Sequence, residues 1–168
     1  MKQLNFDVAV IGGGPAGTVA AIASARRGAK TILIEQHAYL GGAMTAAGTG
    51  PQMTFHAGEK QVVLGIPEEM TQEMIRRGFC TGHVPDGVGF CSSTTAFDPE
   101  GMKLVWEEMA MEAGVTLLYH AMFTGCEVKD GTITSAQIFT KGGFYQLNAK
   151  VFIDASADAD VAHYAGVP

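Results

Sequence analysis

Gly12, Gly14 and Gly17 stand at G-x-G-x-x-G spacing, directly after the apolar run Val8-Ala9-Val10-Ile11. A second apolar run, Thr31-Ile32-Leu33-Ile34, leads into Glu35. Its distance from the first glycine is close to the roughly 20 residues that separate glycines and ribose-binding acid in a dinucleotide-binding βαβ unit. The chemistry such residues can do is to hold a pyrophosphate and a ribose. Gly12 permits a tight strand-to-helix turn, Gly14 clears the backbone that meets pyrophosphate, and Gly17 lets the helix lie close on the strand. The helix N-terminus offers free N–H groups and partial positive charge to the phosphates. No arginine stands beside Glu35 in Gln36-His37, which disfavours a 2′-phosphate and hence NADP.

Other side chains could do chemistry of their own. His56, His83 and His120 are proton donors near a bound cofactor or ordinary loop and strand-end residues. Cys91, in Gly89-Phe90-Cys91-Ser92-Ser93, has no neighbour in sequence to activate it as a nucleophile and reads as a packing thiol. Asp158 and Asp160 either cap a helix that starts at Val161 or touch the cofactor. The residues identify no catalytic group, and the three cysteines, 80, 91 and 126, show no C-x-x-C spacing that would hold a metal.

The elements that must position these groups follow from patterning. Pro15 suits the first turn of an alanine-rich helix that Arg26-Arg27-Gly28 ends. The chain from Gln36 to Gly58 is uncharged except for its histidines, and a long loop of that kind lies against a ligand or another domain. Residues 67–77 read as a helix, with Glu68 and Glu69 in its first turn and Arg76-Arg77 in its last. Residues 78–97, with four glycines and Pro85, read as irregular. Asp98-Pro99-Glu100 opens a helix that Gly114 closes, and Val115–Tyr119 reads as a buried strand. Strands near 122–128, 132–139 and 143–149 follow, joined at Asp130-Gly131 and Gly142-Gly143, with a further buried strand at Val151–Asp154.

Composition excludes several classes of function. In 168 residues, 47% apolar and 17% charged content describes a globular chain, long enough for a real core. Net charge of −6, with Arg26-Arg27 and Arg76-Arg77 the densest basic pairs, argues against nucleic-acid or anionic-membrane partners. The uncharged stretch Val8–Ala25 is broken by glycines and Pro15, so it is neither a membrane span nor a secretory signal. The expected setting is cytoplasmic. Glycine numbers 22, near twice the ~7% average, which points to backbone approaching a ligand closely.

These pieces together carry a resemblance. Gly12-Gly13-Gly14-Pro15-Ala16-Gly17, Ile34-Glu35, Leu40-Gly41-Gly42, Phe97-Asp98-Pro99-Glu100 and Val151–Ala162 span nearly the whole chain. It resembles the N-terminal half of an FAD-dependent oxidoreductase of the glutathione-reductase-type flavin fold. More closely, it is similar to a bacterial FAD-dependent oxidoreductase family related to fumarate reductase flavoproteins. The resemblance implies an α/β, Rossmann-like FAD-binding domain over 1–168, with a central parallel sheet and a three-stranded antiparallel β-meander crossover. A substrate domain and the last strand of the FAD domain would follow it.

The resemblance also implies a cofactor-binding set. Ile11, Gly12, Gly14, Pro15, Ala16 and Gly17 would surround the FAD pyrophosphate. Glu35 and Gln36 would meet the adenosine ribose, and Gly41, Gly42 and Thr45 would line the path from phosphate to flavin. Phe123 would lie by adenine, and Ala155 and Ser156 would approach from the later strand. The family usually reads Asp-Ala-Thr-Gly-Asp where this chain has Asp154-Ala155-Ser156-Ala157-Asp158. Serine keeps the hydroxyl, whereas Ala157 adds a methyl where a glycine would accept positive φ. The implied activity is flavin-mediated hydride transfer on a small-molecule substrate, with a separate electron donor or acceptor. Two alternatives stand beside it: an NAD-binding dehydrogenase domain, which would have a helical crossover, and a non-catalytic adenine-dinucleotide-binding module.

Overall fold

The computed structural model describes residues 2–168. In chain order, β1 (Lys2–Ile11) leads into α1 (Pro15–Arg26) and β2 (Thr31–Ile34). After a single 3-10 turn at Gly42–Met44 come the short strands β3 (Gln52–Met53), β4 (His56–Ala57) and β5 (Lys60–Gln61). Then follow α2 (Ile66–Arg76), β6 (Cys80–Pro85), β7 (Ser93–Phe97), α3 (Pro99–Glu112) and β8 (Thr116–Leu118). The chain continues through β9 (Ala121–Lys129), β10 (Thr132–Thr140), β11 (Gly143–Asp154) and α4 (Asp160–Tyr164).

A six-stranded sheet in the order β8-β2-β1-β11-β10-β9 forms the centre. Its β8, β2, β1 and β11 run parallel, and β10 and β9 add antiparallel at one side. Apolar runs at β1 and β2 are continuous because both faces are covered. Val10 and Leu33 point to a core shared with Ile22 of α1, Met70 and Met74 of α2, and Met102, Val105 and Trp106 of α3. Ala9, Ile11, Ile32 and Ile34 point the other way, into a second core with Ala121, Ala136, Ile138, Leu147 and Val161. The connection from β8 to β11 is the expected β-meander, so no helical crossover joins them.

Capping follows the sequence signals. Asp98 Oδ1 accepts from Glu100 N at 2.9 Å to open α3, and Gly114 takes φ +86° beyond its end. Two expectations change. Residues 78–97 are not irregular: β6 and β7 pair antiparallel, and β3 joins them in a three-stranded sheet. Their glycines, Gly82 and Gly89, serve a bulge and a loop instead of dissolving the strands. Nor are 143–149 and 151–154 separate strands. The register with β1 runs unbroken from Tyr145 to Asp154 through Asn148-Ala149-Lys150, fastened by Lys150 Nζ to Asp7 Oδ1 at 2.7 Å. Val151, expected to be buried, is half exposed.

Gly101, inside α3, is fixed by packing. A Cβ there would stand 2.2 Å from Phe79 Cγ and 2.6 Å from Phe79 Cβ, at the rigid root of the side chain. Alanine in a helix gains about 1 kcal/mol over glycine, whereas overpacking a core costs about 1–3 kcal/mol. Gly101→Ala is therefore expected to lower the urea midpoint despite its better helix propensity, and an unchanged or higher midpoint would refute this packing argument.

Candidate cofactor site

At the carboxyl ends of β1 and β2 the chain leaves a cavity of about 800 Å³. Its floor is the glycine turn, and each glycine there answers a different constraint. Gly12 takes φ +101°, and a Cβ on it would lie 2.2 Å from the Ala155 carbonyl oxygen. A Cβ on Gly17 would lie 1.8 Å from the Gly12 carbonyl oxygen, so α1 and the turn are in backbone contact. Gly14 differs: its φ of −67° suits any residue, and the nearest atom to a Cβ is Gly42 Cα at 4.0 Å. Nothing within the protein demands glycine at 14; the space in front of it is the cavity. Gly14 is also the N-cap of α1, with Pro15 at its first turn, so the free N–H groups of that turn stand at the cavity wall.

Glu35 is buried, and both its carboxylate oxygens are engaged by backbone. Gly13 N donates to Oε2 at 2.7 Å and His37 N donates to Oε1 at 2.7 Å. The acid thus ties the end of β2 to the glycine turn, with lone pairs left to accept from a hydroxyl. Gly13, which the spacing motif leaves as a free position, is constrained by this arrangement. A Cβ there would meet Leu40 Cδ2 at 2.7 Å and Glu35 Oε2 at 2.8 Å.

Most of the residues predicted from sequence come together here. Ile11, Gly12, Gly14, Pro15, Ala16, Glu35, Gln36, Gly42, Phe123, Ala155 and Ser156 all line the cavity. Gly17, Gly41 and Thr45 do not; they hold its walls from behind. Gly41 N donates to Gly13 O at 2.8 Å, and Thr45 Oγ1 donates to Leu40 O at 2.8 Å. Sequence reasoning missed the small residues Ala43, Ala46 and Ala47, whose only signal was the uncharged loop. It also missed the structural part played by Asp154.

Asp154 organises the turn that closes the cavity. Ser156 donates to its Oδ1 from both N (3.1 Å) and Oγ (2.6 Å), and Ala162 N donates to its Oδ2 at 2.9 Å. Burial by itself raises the Asp154 carboxyl, but the Ser156 hydroxyl and the backbone N–H groups of Ala162, Ser156 and Val161 outweigh it and hold the group below its ordinary 3.8. Asp154 thereby does the capping work for which Asp158 and Asp160 were candidates. The N-cap of α4 is Ala159, and no side chain caps it by the usual bond. The Ser156 hydroxyl accepts from Asp160 N at 2.9 Å, so it too is spent on the turn. Ala157 takes φ +75° and Ala159 φ +59°, so the position where the family carries glycine is left-handed, as glycine would prefer.

His56 and His83 lie outside this cavity, on the β3–β7–β6 sheet and its flanking hairpin, and His120 is a left-handed link (φ +51°) between β8 and β9. Cys80, Cys91 and Cys126 are unpaired. Among the described residues no group of histidine, cysteine and acid side chains is arranged to hold a metal, and no helix is long and apolar enough to cross a membrane.

A parallel sheet whose first turn presents glycines and a helix N-terminus to a cavity, with a buried acid at the end of the next strand, defines a dinucleotide-binding domain. The meander in place of a helical crossover separates it from the plain NAD-binding form. The profile of the family described as FAD dependent oxidoreductase matches residues 7–168. The chain belongs to that family, whose cofactor is FAD. Over 178 aligned residues it is 28% identical to the digeranylgeranylglycerophospholipid reductase of Methanoculleus marisnigri, covering 97% of this chain and 42% of that protein. A shorter stretch of 63 residues is 42% identical to the soluble pyridine nucleotide transhydrogenase of Chromohalobacter salexigens, covering 38% of this chain and 14% of that one. Among solved structures, a geranylgeranyl bacteriochlorophyll reductase-like protein from Thermoplasma acidophilum superposes with TM-score 0.69 at 20% identity, over 98% of this chain and 42% of its own. The chain therefore spans about 42% of the length of the reductases it matches end to end.

Two outcomes are expected at the closing turn. Ala157→Gly relieves a left-handed cost of about 1–2 kcal/mol and gives back about 0.4–1 kcal/mol through a freer unfolded chain. A net gain of up to about 1.6 kcal/mol should appear in urea unfolding. The depressed Asp154 carboxyl favours the folded state above its unfolded value, and that contribution is lost as pH falls from about 3.8 through the lower folded value. Asp154→Asn should therefore cost stability at pH 7, with the difference from the parent shrinking as pH falls below about 3.8; a constant difference across that range would contradict it.

Proposed function

We propose that residues 1–168 are the FAD-binding domain of an oxidoreductase that moves a hydride between a small-molecule substrate and its flavin. A separate donor or acceptor would return the electrons. The observation that carries this reading is Gly14, a glycine in an ordinary conformation with only open cavity before its Cα. Its missing side chain makes sense as clearance for a ligand's phosphates. FAD supplies the two-electron chemistry when bound, and the protein supplies position and electrostatics. In our reading the N–H groups at the start of α1, with Gly12 to Ala16, hold the pyrophosphate, and Glu35 accepts the ribose hydroxyls. Gln36, Met122 and Phe123 flank adenine. Gly42 and the alanines at 43, 46 and 47 let the rest of the cofactor lie along the loop, with Ala155 and Ser156 opposite. Gly17, Gly41 and Thr45 act from the layer behind.

The substrate-binding part of such an enzyme would lie in sequence of the kind that makes up the remainder of the longer relatives. Those relatives reduce or transfer electrons to different molecules according to their names, so the shared domain does not select a substrate. The three unpaired cysteines fit a reducing, cytoplasmic setting.

The test is a visible spectrum of the purified protein followed by titration with FAD, ADP and NAD. Flavin absorbance and FAD binding tighter than NAD are expected; a colourless protein that binds NAD but not FAD would favour the NAD-binding domain, and adenine-nucleotide binding without redox turnover the non-catalytic module. Gly14→Ala should fold with stability within about 0.5 kcal/mol of the parent, as surface substitutions do, yet bind FAD at least tenfold more weakly. Equal FAD affinity in that variant would overturn the placement of the phosphates.

A further inference from the structure

Position 18 departs from the apolar filling of α1. Thr18 is fully buried on the helix face that also buries Gly17, Ala21 and Ile22, and a buried hydroxyl is costly unless its hydrogen bond is made. A threonine inside a helix commonly turns its hydroxyl back to the carbonyl three or four residues earlier. Here the carbonyl four residues back, Gly14 O, accepts from Thr18 N at 2.9 Å. The hydroxyl passes it over and donates at 3.0 Å to Gly13 O, which lies outside the helix. Gly41 N donates to the same oxygen at 2.8 Å, so both of its lone pairs are engaged.

What this oxygen controls is the donor at the other end of its peptide. The Gly13–Gly14 peptide is trans, and in a planar trans peptide the C=O and N–H bonds point in opposite directions. Fixing Gly13 O therefore fixes the direction of Gly14 N–H. That N–H has no acceptor among the described residues, and Gly14 lines the cavity. The preceding peptide is held as well, since Gly13 N donates to Glu35 Oε2 at 2.7 Å. Two adjacent glycines would otherwise leave this stretch of backbone free to turn. The paired bonds do more than orient it. Hydrogen-bonded groups polarise one another, so two donors on the carbonyl make the N–H of the same amide a stronger donor.

We propose that Thr18 is a positioning residue for phosphate binding. Its hydroxyl, together with Gly41 N–H, aims Gly14 N–H into the cavity and strengthens it as a donor to a phosphate oxygen of the bound dinucleotide. The proposal rests on the reading of this cavity as the cofactor site. Gly41 acts through its backbone, which substitution leaves in place, so the Thr18 hydroxyl is the part of this grip that a side-chain change can remove. The grip also ties the phosphate donor to the loop after β2, because Gly41 is the N-cap of the 3-10 turn at Gly42–Met44.

The test titrates the purified chain with FAD, ADP and adenosine, following backbone amide signals by NMR. In the parent, ADP should move the Gly14 amide signal and slow its hydrogen exchange, whereas adenosine, which has no phosphate, should do neither. Thr18→Val keeps the shape without the hydroxyl and should bind ADP and FAD about tenfold more weakly, the loss expected for one impaired hydrogen bond to a charged group. Its adenosine affinity should match the parent's, and the Glu35 and His37 amides should respond to ADP as before. Thr18→Ser restores a hydroxyl and should bind ADP like the parent. A threonine needed only for folding would weaken all three ligands alike or none of them. Unchanged ADP affinity in Thr18→Val, or equal losses for ADP and adenosine, overturns the assignment. So does a parent whose Gly14 amide ignores bound ADP, a result that holds even where the valine variant fails to fold. A parent that binds ADP but not FAD overturns the flavin-dependent reading alone, and one that binds neither overturns both.

Discussion

The site depends on backbone packed against backbone at Gly12. Its carbonyl oxygen stands where a Cβ on Gly17 would be, and its own missing Cβ would collide with the Ala155 carbonyl. One residue thus brings β1, α1 and the end of β11 closer together than any side chain would permit. The helix N-terminus, the acid at the end of β2 and the Asp154 turn converge on one cavity because these approaches are so short. Glu35 reinforces the convergence from the other strand, since its carboxylate accepts from Gly13 N–H. A single buried acid therefore braces the turn and presents an anionic edge to the cavity. Removing it would be felt in both roles.

The two sides of the central sheet divide the work. Helices α1, α2 and α3 fill one face with Ile22, Met70, Met74, Met102 and Trp106. On the other face the meander folds its own apolar residues over β1 and β2, and Ala121 N donates to Glu35 O at 3.0 Å where β9 begins. Antiparallel strands can make this connection with tight turns, whereas a parallel crossover needs a helix. The meander consequently delivers Met122 and Phe123 to the cavity rim, which a helix packed on the opposite face would not do. Between α2 and the cavity loop sits the small β3–β7–β6 sheet, whose inner face is polar. The two sheets thus differ in filling, the central one apolar on both faces and the small one polar on its inner face.

Much of this arrangement was written in residue order. The caps at Asp98 and Gly114 are local devices whose physical cause lies within a few residues, whereas glycines 12, 14 and 17 and the acid at 35 could be read because their spacing matches a βαβ unit. The meander was legible from Asp130-Gly131 and Gly142-Gly143, since a tight turn between apolar runs leaves few alternatives. What stayed hidden were the pairings. Residues 78–97 look irregular because their glycines sit in a bulge and a loop, which only a partner strand explains. Nothing local indicates that 143–154 is one strand, because its continuity comes from register with β1.

The sequence by itself determined the kind of domain, the position of the turn and the strand that bears the acid, because spacing along the chain fixes a βαβ unit. Tertiary structure decided which of those residues face the cavity and which stand behind it. It placed Gly14 at the open side and Gly17 against backbone, identical residues with opposite duties. It gave Asp154 the turn that sequence had offered to Asp158 and Asp160, and it brought His56, Ser93, His83 and Glu68 together from four separate elements. Contacts between residues far apart in the chain are set by packing, and packing is settled only when the whole core closes.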